Sequence, residues 1–338
     1  MKDLRIGVIG CGMIGREHIK RLQHKIHGCR VTALCDSSLE CLNKAVEAAE
    51  GKVETYKEAS GLINDNNVDA ILVATPGFAH SAPVLAAIEA GKPVFCEKPL
   101  ATTAKACREI VKAETDSGRR LVQVGFMRRY DRGYRQIKSL LESGGFGNPL
   151  TVKCTHRAIS VDDSYTTEMA VTDTAIHEID CLRWLLNDDW DEVLCIMGRD
   201  TKYAHKELSD PQIMIMKTKK GITVVLEVFV NCKFGYDINC EVVCEDGVIN
   251  LPSPAFPTVR KDCKISTDIE QNWMLRFIDS YDVELQEWVD CVKQGELLGP
   301  TAWDGYIAEA TADALVAAQI SGKYERVEAD KMPKLYEV

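Results

Sequence analysis

The sequence of 338 residues lacks the patterns that mark several specialised classes of protein. No uninterrupted apolar run approaches the roughly 20 residues that a transmembrane helix needs. The opening, MKDLRIGVIG, has neither the apolar core nor the cleavage site of a signal peptide. Internal repeats and low-complexity segments are missing as well. We therefore expect a globular cytoplasmic protein without a membrane role.

Positive charge is also scarce. Lysine and arginine total 41 residues against 51 aspartates and glutamates, which gives a formal net charge of -10. Nucleic acids and anionic membranes attract proteins through a positive field, so we expect neither as a partner. Small neutral molecules are unaffected by this balance and are the expected class of ligand.

Cysteine is plentiful but has no metal-binding pattern. The 14 cysteines include no CxxC pair, and Cys240 and Cys244 have no histidine nearby at the spacing of a zinc finger. We expect most of them to be reduced, small core residues, and we expect no metal site.

The chain is long for one hydrophobic core, and its pattern changes near residue 126. Over residues 1–126, short β-branched runs alternate with helical patterns, which predicts an α/β domain with a doubly wound parallel sheet. Ser37 or Ser38 can cap one of its helices, and Gly118 can end another. Over residues 127–338, strands follow one another with few helices between them. This predicts an α+β domain with a mostly antiparallel sheet.

The predicted strands and helices have the following approximate bounds. The first domain has strands at 4–10, 30–36, 52–56, 69–75, 93–99 and 120–126. The second has strands at 150–159, 212–218, 221–231 and 237–251, a helix at 171–186 and closing helices near 275–294 and 302–320. We expect the closing helices to be packing surface that can fold back on the first domain.

A glycine pattern directly after the first predicted strand indicates a dinucleotide site. Gly10, Gly12 and Gly15 form G-x-G-x-x-G before a predicted helix. Gly10 would permit a tight turn, Gly12 would let the backbone approach a pyrophosphate, and Gly15 would let the helix pack on the strand. The N–H groups at the helix N-terminus would attract the phosphates. Met13 and Ile14 complete this expected cofactor-binding loop.

An acidic residue at the end of the second predicted strand indicates which dinucleotide binds. Asp36 lies about 20 residues after the glycines, where a carboxylate accepts hydrogen bonds from the adenosine ribose. A carboxylate repels a 2′-phosphate, and Ser37 and Ser38 supply no positive charge. We therefore expect NAD as the cofactor rather than NADP.

Two later strand ends should line the same crevice, because open α/β sheets bind ligands at the carboxyl ends of their strands. The expected cofactor-binding residues there are Thr75, Pro76 and His80 after one strand, and Glu97 and Lys98 after the next. Lys98 follows an apolar strand and precedes a proline, so we expect it to be held near the nicotinamide rather than in solvent.

Residues 171–186 predict an amphipathic helix with proton-transfer groups on one face. At about 100° per residue, Asp173, His177 and Asp180 fall on one side and the apolar side chains on the other. Taken alone, this is also the pattern of a surface helix with a solvated polar face. Together with the cofactor pattern, we interpret this face as the wall of a cleft that faces the nicotinamide.

The glycine pattern, TPGFAH, EKP and the later D-x-x-x-H helix resemble the Gfo/Idh/MocA oxidoreductases over nearly the whole chain. Within that family, QVGFMRRYD at 123–131 and EMAVTDTAIHEID at 168–180 look like the branch that oxidises myo-inositol. The resemblance implies a Rossmann domain followed by an open-faced sheet domain that binds substrate and often mediates a homotetramer. It also suggests a cis bond between Lys98 and Pro99.

Carried over position by position, the resemblance implies two sets of site residues. The catalytic group would be Lys98, Asp173 and His177. The polyol pocket would be lined by Met127, Arg128, His156, Thr174, Asp180 and Tyr236, with Trp273 and Tyr281 at its edge. The chain departs from the family pattern after His156, where it reads Arg157 and Ala158, so a relative's polar side chain at position 158 is missing.

The expected reaction is NAD-dependent oxidation of the axial C2 hydroxyl of myo-inositol to the 2-ketone, scyllo-inosose. His177 would take the hydroxyl proton as general base, Asp173 would orient the imidazole, and Lys98 would hydrogen-bond the reacting oxygen. Two alternatives stay open. One is a related dehydrogenase that acts on scyllo-inositol or a pyranose sugar. The other is a non-catalytic NAD-binding sensor, which would be expected to lose some of these three residues.

Overall fold

The structure, a computed structural model, describes residues 2–337 and divides into two compact units. The first unit comprises the residues up to Met127, Tyr281–Glu309 and the residues from Ala329 on; the second comprises Arg128–Ser280 and Ala310–Glu328. Within residues 2–337, none of the helices is both long and apolar enough to cross a membrane.

A six-stranded sheet forms the centre of the first unit. Its strands are β1 (Leu4–Ile9), β2 (Cys29–Cys35), β3 (Glu54–Tyr56), β4 (Ala70–Val73), β5 (Val94–Glu97) and β6 (Val122–Gly125). All neighbouring strands are parallel, in the order β3-β2-β1-β4-β5-β6. This order confirms the predicted doubly wound sheet, and it reverses between β1 and β4, where such sheets bind nucleotides.

The helices of the first unit connect these strands as the sequence predicts. They are α1 (Met13–His24), α2 (Leu39–Ala48), α3 (Ala59–Ile63), α4 (Ser81–Glu89) and α5 (Ala104–Ser117). Ser38 caps α2, because its hydroxyl accepts a hydrogen bond from the backbone N–H of Cys41 at 3.3 Å. Gly118 ends α5 in the left-handed conformation, with φ +68°.

The core of the first unit also includes residues from near the end of the chain. Two long helices, α8 (Trp273–Gln294) and α9 (Ala302–Ser321), follow the second set of strands. Leu285, Trp288 and Val289 of α8 are buried in the same cluster as the strands β1 and β2. The rings of Trp288 and Phe95 meet edge to face with centroids 5.6 Å apart.

A seven-stranded, mostly antiparallel sheet forms the second unit, as predicted. Its strands are β7 (Pro149–Arg157), β8 (Trp190–Met197), β9 (Gln212–Thr218), β10 (Thr223–Phe229), β11 (Asp237–Cys244), β12 (Val248–Asn250) and β15 (Glu325–Arg326). The order is β12-β11-β7-β10-β9-β8-β15, and the pair β7–β10 is parallel. The second unit also contains a small hairpin of β13 (Val259–Lys261) and β14 (Lys264–Ser266). Its helices include α6 (Arg132–Glu142) and α7 (Ile176–Leu186).

Two features of this sheet differ from the sequence prediction. The single strand predicted over 237–251 is a hairpin, because a tight turn closes between Cys244 and Gly247, where the backbone N–H of Cys244 donates to the Gly247 carbonyl at 2.8 Å. Two strands of the sheet were not predicted: β8, which follows α7, and β15.

The helix predicted over 171–186 also differs from a regular α-helix. Residues Ala170–Ala175 form a π-helix, in which the backbone N–H of Ile176 reaches the Val171 carbonyl five residues earlier, and α7 follows. A regular period of 100° per residue therefore does not hold across this stretch. Asp173 is exposed, His177 is half-buried and Asp180 is buried, so the three groups of the predicted polar face differ in their exposure to solvent.

The cysteines are mostly core residues, as predicted. All 14 cysteines are free thiols, and most of them are buried. Burial raises the pKa of the Cys11 thiol to about 12, so this residue beside the glycine loop is a small neutral core group.

The three glycines at the start of α1 have three different surroundings. Gly10 has φ +95°, and a Cβ there would lie 2.4 Å from the backbone nitrogen of Thr75. A Cβ on Gly15 would lie 1.9 Å from the carbonyl oxygen of Gly10, so the helix packs directly on the turn. A Cβ on Gly12 would meet no atom within 4 Å. The structure thus supports a tight turn, a close helix contact and an open backbone surface at these positions.

We predict that Gly15→Ala and Gly12→Ala separate folding from dinucleotide binding. Gly15→Ala should lower Tm by several degrees, because a methyl group that displaces a backbone carbonyl costs about 1–3 kcal/mol. Gly12→Ala should leave Tm near the wild-type value but weaken NAD binding, because its methyl group projects where the pyrophosphate would pass. Thermal melts and calorimetric titration with NAD measure both effects. Equal destabilisation by the two variants would contradict this interpretation.

Candidate functional site

The first unit gathers the predicted cofactor-binding residues at one edge of its sheet. Each follows, or lies at, the carboxyl end of a parallel strand: Gly10, Gly12, Met13, Ile14 and Gly15 after β1, Asp36 after β2, Thr75, Pro76 and His80 after β4, and Glu97 and Lys98 at β5. A nucleotide-binding crevice occurs at this edge in doubly wound sheets.

Asp36 connects the glycine loop to the start of α2. Its carboxylate accepts hydrogen bonds from the backbone N–H of Cys11 at 2.7 Å and from that of Ser38 at 2.8 Å. Two carboxylate oxygens can accept about four hydrogen bonds, so capacity for ribose hydroxyls is left. The two backbone bonds fix the orientation of the carboxylate before a nucleotide binds.

The residues at this edge fit a dinucleotide on observations of the structure itself. The hydroxyl oxygen of Thr75 is buried and makes no hydrogen bond within residues 2–337. Thr75 lies two residues after the end of β4, and its backbone is next to Gly10 of the glycine loop. A buried polar atom without a partner is costly, and a bound ligand would satisfy it.

His80 joins the segments that follow β4 and β5. Its ring is buried, with Nδ1 2.6 Å from the Pro99 carbonyl and Nε2 2.7 Å from the Thr75 carbonyl. His80 therefore holds these two segments together, and its direct contact with the cofactor stays a prediction.

Glu97 is buried next to a histidine that the sequence analysis did not identify. Its Oε1 lies 2.6 Å from Nε2 of His18, and its Oε2 accepts the backbone N–H of Lys98 at 3.2 Å. Burial by itself raises the pKa of Glu97, but the hydrogen bond and charge of His18, with Lys98 and His80, outweigh it and hold the pKa below its usual value. Glu97 thus supports the lysine backbone, and its direct contact with a cofactor stays a prediction.

Lys98 follows β5 in a turn that is fixed on both sides. The side chain is half-buried, and the Lys98–Pro99 peptide bond is cis, as the resemblance suggested. The Pro99 carbonyl is bonded to His80 and the Lys98 N–H to Glu97. The structure therefore holds the backbone of Lys98 in a defined position at the carboxyl edge of the sheet.

The second unit places the predicted acid and base at the junction between the π-helix and α7. Asp173 is exposed within the π-helix, and His177 is half-buried near the start of α7. Thr174 is buried between them, and its hydroxyl is hydrogen-bonded to that of Tyr165. The residue that precedes α7 is Ala175, so Asp173 does not have the N-cap position of that helix.

A buried polar network surrounds His156. Arg128 forms a salt bridge with Glu178, and the Nδ1 atom of His156 lies 3.1 Å from both a guanidinium nitrogen of Arg128 and Oε2 of Glu178. The Nε2 atom of His156 lies 3.2 Å from the Tyr236 hydroxyl. The rings of His156 and His177 have centroids 6.3 Å apart. Three predicted pocket residues are therefore neighbours of each other and of the predicted base.

Asp180 is buried in an ion pair of its own. Both of its oxygens accept hydrogen bonds from Arg129, one of them from Nε at 2.8 Å. Such bidentate pairs are among the stronger polar interactions in proteins. Asp180 is therefore not a solvated carboxylate, and its contact with substrate stays a prediction.

The remaining predicted pocket residues lie in different environments. Met127 is buried and is the last residue of the first segment of the first unit. Trp273 is half-buried at the start of α8. Tyr281 belongs to the first unit, where its ring lies 5.9 Å from that of His18. The backbone N–H of Ala158 donates to the Phe229 carbonyl, so this position extends the pairing of β7.

Sequence reasoning missed Glu178 and His18. Glu178 had a detectable signal, because it lies three and four residues before Cys181 and Leu182 on the apolar side of α7. A charged residue in an apolar stripe requires a buried partner. His18 had no comparable signal, because its partner Glu97 is 79 residues away in the chain.

Comparisons with known proteins identify the family of the chain. The chain matches the model for an oxidoreductase family with an NAD-binding Rossmann fold over residues 4–126, and the model for the C-terminal alpha/beta domain of that family over residues 138–328. It is 51% identical to an inositol 2-dehydrogenase of Azotobacter vinelandii over 98% of each chain. It is 50% identical to an inositol 2-dehydrogenase/D-chiro-inositol 3-dehydrogenase of Shouchella clausii, over 99% of this chain and 97% of the other.

The fold is similar to that of a solved relative with both ligands bound. The crystal structure of myo-inositol dehydrogenase from Lactobacillus casei in complex with NAD(H) and myo-inositol has a TM-score of 0.97 and 38% identity, and the match covers 99% of this chain and 100% of that one. Together with the family matches over both parts of the chain, this leads to one conclusion. The chain belongs to the Gfo/Idh/MocA family of oxidoreductases and carries its NAD-binding Rossmann domain.

Proposed function

We propose that this protein oxidises myo-inositol with NAD, converting the axial C2 hydroxyl to the 2-ketone, scyllo-inosose. The observation that carries the proposal is that relatives about 50% identical over nearly the whole chain are inositol 2-dehydrogenases. The network of hydrogen-bond donors and acceptors around His156 supports it, because a polyol needs both. A cytoplasmic location stays a prediction.

The proposed proton transfer uses His177 as the general base. A histidine suits this task, because its usual pKa lies near neutrality. Asp173, four residues earlier, would orient the imidazole and stabilise its protonated form. Lys98 would donate a hydrogen bond to the reacting oxygen and favour the developing alkoxide.

The cofactor supplies the acceptor for the hydride at C4 of its nicotinamide when bound. The chain's own residues would hold it: the glycine loop and the N-terminus of α1 at the pyrophosphate, Asp36 at the adenosine ribose, and the Thr75 hydroxyl with its unused hydrogen-bonding capacity. The carboxylate of Asp36 favours NAD over NADP because it repels a 2′-phosphate.

Substrate orientation would depend on Arg128, His156, Asp180 and Tyr236, with Met127 and Thr174 completing the pocket. In this proposal, their polar groups pair with the equatorial hydroxyls and leave the axial one to react. A pocket that binds hydroxyls discriminates strongly, because an absent or inverted hydroxyl leaves buried protein groups without a partner.

We also propose that the protein assembles as a homotetramer through the open face of its larger sheet. Ile196, Ile213 and Val225 on three adjacent strands are each about 40% exposed. Ile196 is paired with Ile213 on the neighbouring strand. Ile215, two residues after Ile213, is paired with Val225 on the next strand, so these side chains form one apolar strip. Contact with other copies of the chain would remove this strip from water.

A substrate panel tests the proposed function. With NAD, the purified protein should oxidise myo-inositol with a higher kcat/KM than scyllo-inositol, D-chiro-inositol or glucose, because the pocket should present the carbon that carries an axial hydroxyl. The rate is followed by NADH absorbance, and the product is identified by NMR. A preference for scyllo-inositol, which has no axial hydroxyl, would show that the proposed substrate orientation is wrong.

His177→Ala should lower kcat by about 10²–10⁴-fold, because a general base typically contributes that factor. NAD affinity should be unchanged, since the glycine loop and Asp36 belong to the other unit. His205→Ala is the matched control, because His205 lies in a loop of the second unit. Steady-state kinetics and NAD fluorescence titration measure both properties. Near-native turnover of the His177 variant at neutral pH would rule out the assignment.

Ile213→Lys should lower the molar mass of the assembly in light scattering, because a charge in the apolar strip cannot be buried between subunits without a large cost. Ile320→Lys is the control, since Ile320 is 82% exposed on α9 and lies outside the strip. A monomeric wild-type protein, or an Ile213 variant of unchanged mass, would contradict the proposed assembly.

A further inference from the structure

Glu178 is a buried carboxylate to which the proposed chemistry assigns no role. It is 1% exposed and lies on α7 immediately after His177. Its Oε1 accepts a hydrogen bond from Arg128, and its Oε2 lies 3.1 Å from Nδ1 of His156. Burying a carboxylate without partners is costly, so both contacts are needed to keep it charged there.

Glu178 also determines which nitrogen of His156 carries the proton. An unprotonated Nδ1 would place a lone pair against the anionic Oε2 of Glu178. Arg128, the other neighbour of Nδ1, has further partners in Oε1 of Glu178 and in the ring of Phe277, 5.2 Å from its guanidinium carbon. The proton therefore belongs on Nδ1, and Nε2 accepts the hydrogen bond of the Tyr236 hydroxyl. The oxygen of Tyr236, which also accepts a hydrogen bond from Arg128, is then oriented with one lone pair available for a substrate hydroxyl.

Glu178 also balances the positive charge of Arg128. The other cations of this region have carboxylates of their own: Arg129 pairs with Asp180, and Arg276 pairs with Asp131 at 2.8 Å. The salt bridge of Arg128 is with Glu178. The other titratable groups that act on Arg128 or Tyr236 are Tyr134 on α6, Cys181 on α7, Arg276 on α8 and Asp173 in the π-helix. Burial raises the pKa of Tyr134 and that of Tyr236, so both hydroxyls are neutral.

We propose that Glu178 is a positioning residue of the catalytic site. It orients His156 and Tyr236 for the substrate and cancels the charge of Arg128, whose neighbour His156 has its ring 6.3 Å from that of His177. This inference rests on the proposed function, in which His177 is the general base. Glu178 acts through its neighbours, so its effects should appear in substrate KM and in the pH profile rather than in NAD binding.

Glu178→Gln keeps the shape of the side chain and removes its charge. We expect KM for myo-inositol to rise about 10-fold, because His156 and Tyr236 lose their fixed orientation. The uncompensated Arg128 cation should disfavour the protonated form of His177. The acidic limb of kcat/KM should therefore move to lower pH, by about one unit for a unit charge removed from within about 10 Å. A merely structural loss would lower the amount of active protein without moving this limb.

Two further variants separate the effect of the position of the Glu178 carboxylate from the effect of its charge. Glu178→Asp keeps the charge but shortens the side chain, so KM should rise while the acidic limb stays at the wild-type pH. Glu168→Gln removes one carboxylate from an exposed site ten residues earlier and should change neither property. If Glu178→Gln does not fold, Glu178→Asp decides the question: a wild-type KM in that variant overturns the positioning role.

A measurement without substrate keeps this inference distinct from the proposed function. The ¹⁵N NMR signals of the His156 ring should show the proton on Nδ1 in the wild-type protein and on Nε2 in Glu178→Gln, where Arg128 becomes the donor to Nδ1. An unchanged protonation pattern, or an acidic limb that Glu168→Gln moves equally, overturns the inference. If the wild-type protein oxidises none of the polyols, the proposed function fails, while the NMR result still tests Glu178.

Discussion

The salt bridge between Arg128 and Glu178 is the interaction on which the second unit's polar site depends. Both side chains are almost completely buried, so each has lost its hydration. Removing one partner of such a pair typically costs about 3–5 kcal/mol, because the other charge stays buried and unpaired. Once the pair is in place, it provides a donor and an acceptor that fix His156, and His156 in turn fixes Tyr236.

The π-helix adds a geometric constraint to this electrostatic one. A backbone that bonds five residues apart turns less per residue than an α-helix, so the side chains of Asp173 and His177 no longer lie in the positions of a regular amphipathic helix. Asp173 reaches solvent while the residues beside it, Thr174 and Ala175, are buried. Asp173 and His177 are thus both more accessible than the buried residues Thr174, Ala175 and Ile176 between them.

In the first unit, two buried histidines take part in the hydrogen bonds that hold the backbone around Lys98. His18 pairs with Glu97, and Glu97 accepts the N–H of Lys98. His80 bonds the carbonyls of Thr75 and Pro99. The turn that carries Lys98 is therefore held by hydrogen bonds from two histidine-containing segments.

The local patterns of the sequence determined the fold and the cofactor. Strand period, glycine spacing and the acid after the second strand involve residues close together in the chain, so their physical meaning is readable without the tertiary structure. Which charged side chains pair with each other was decided only by the tertiary structure. Glu178 and Asp180 are two residues apart and chemically alike, yet one pairs with Arg128 and the other with Arg129. Those partners lie about 50 residues away. The α-helix and the π-helix differ in whether backbone hydrogen bonds join residues four or five apart, and the local sequence at Asp173 did not predict the five-residue spacing.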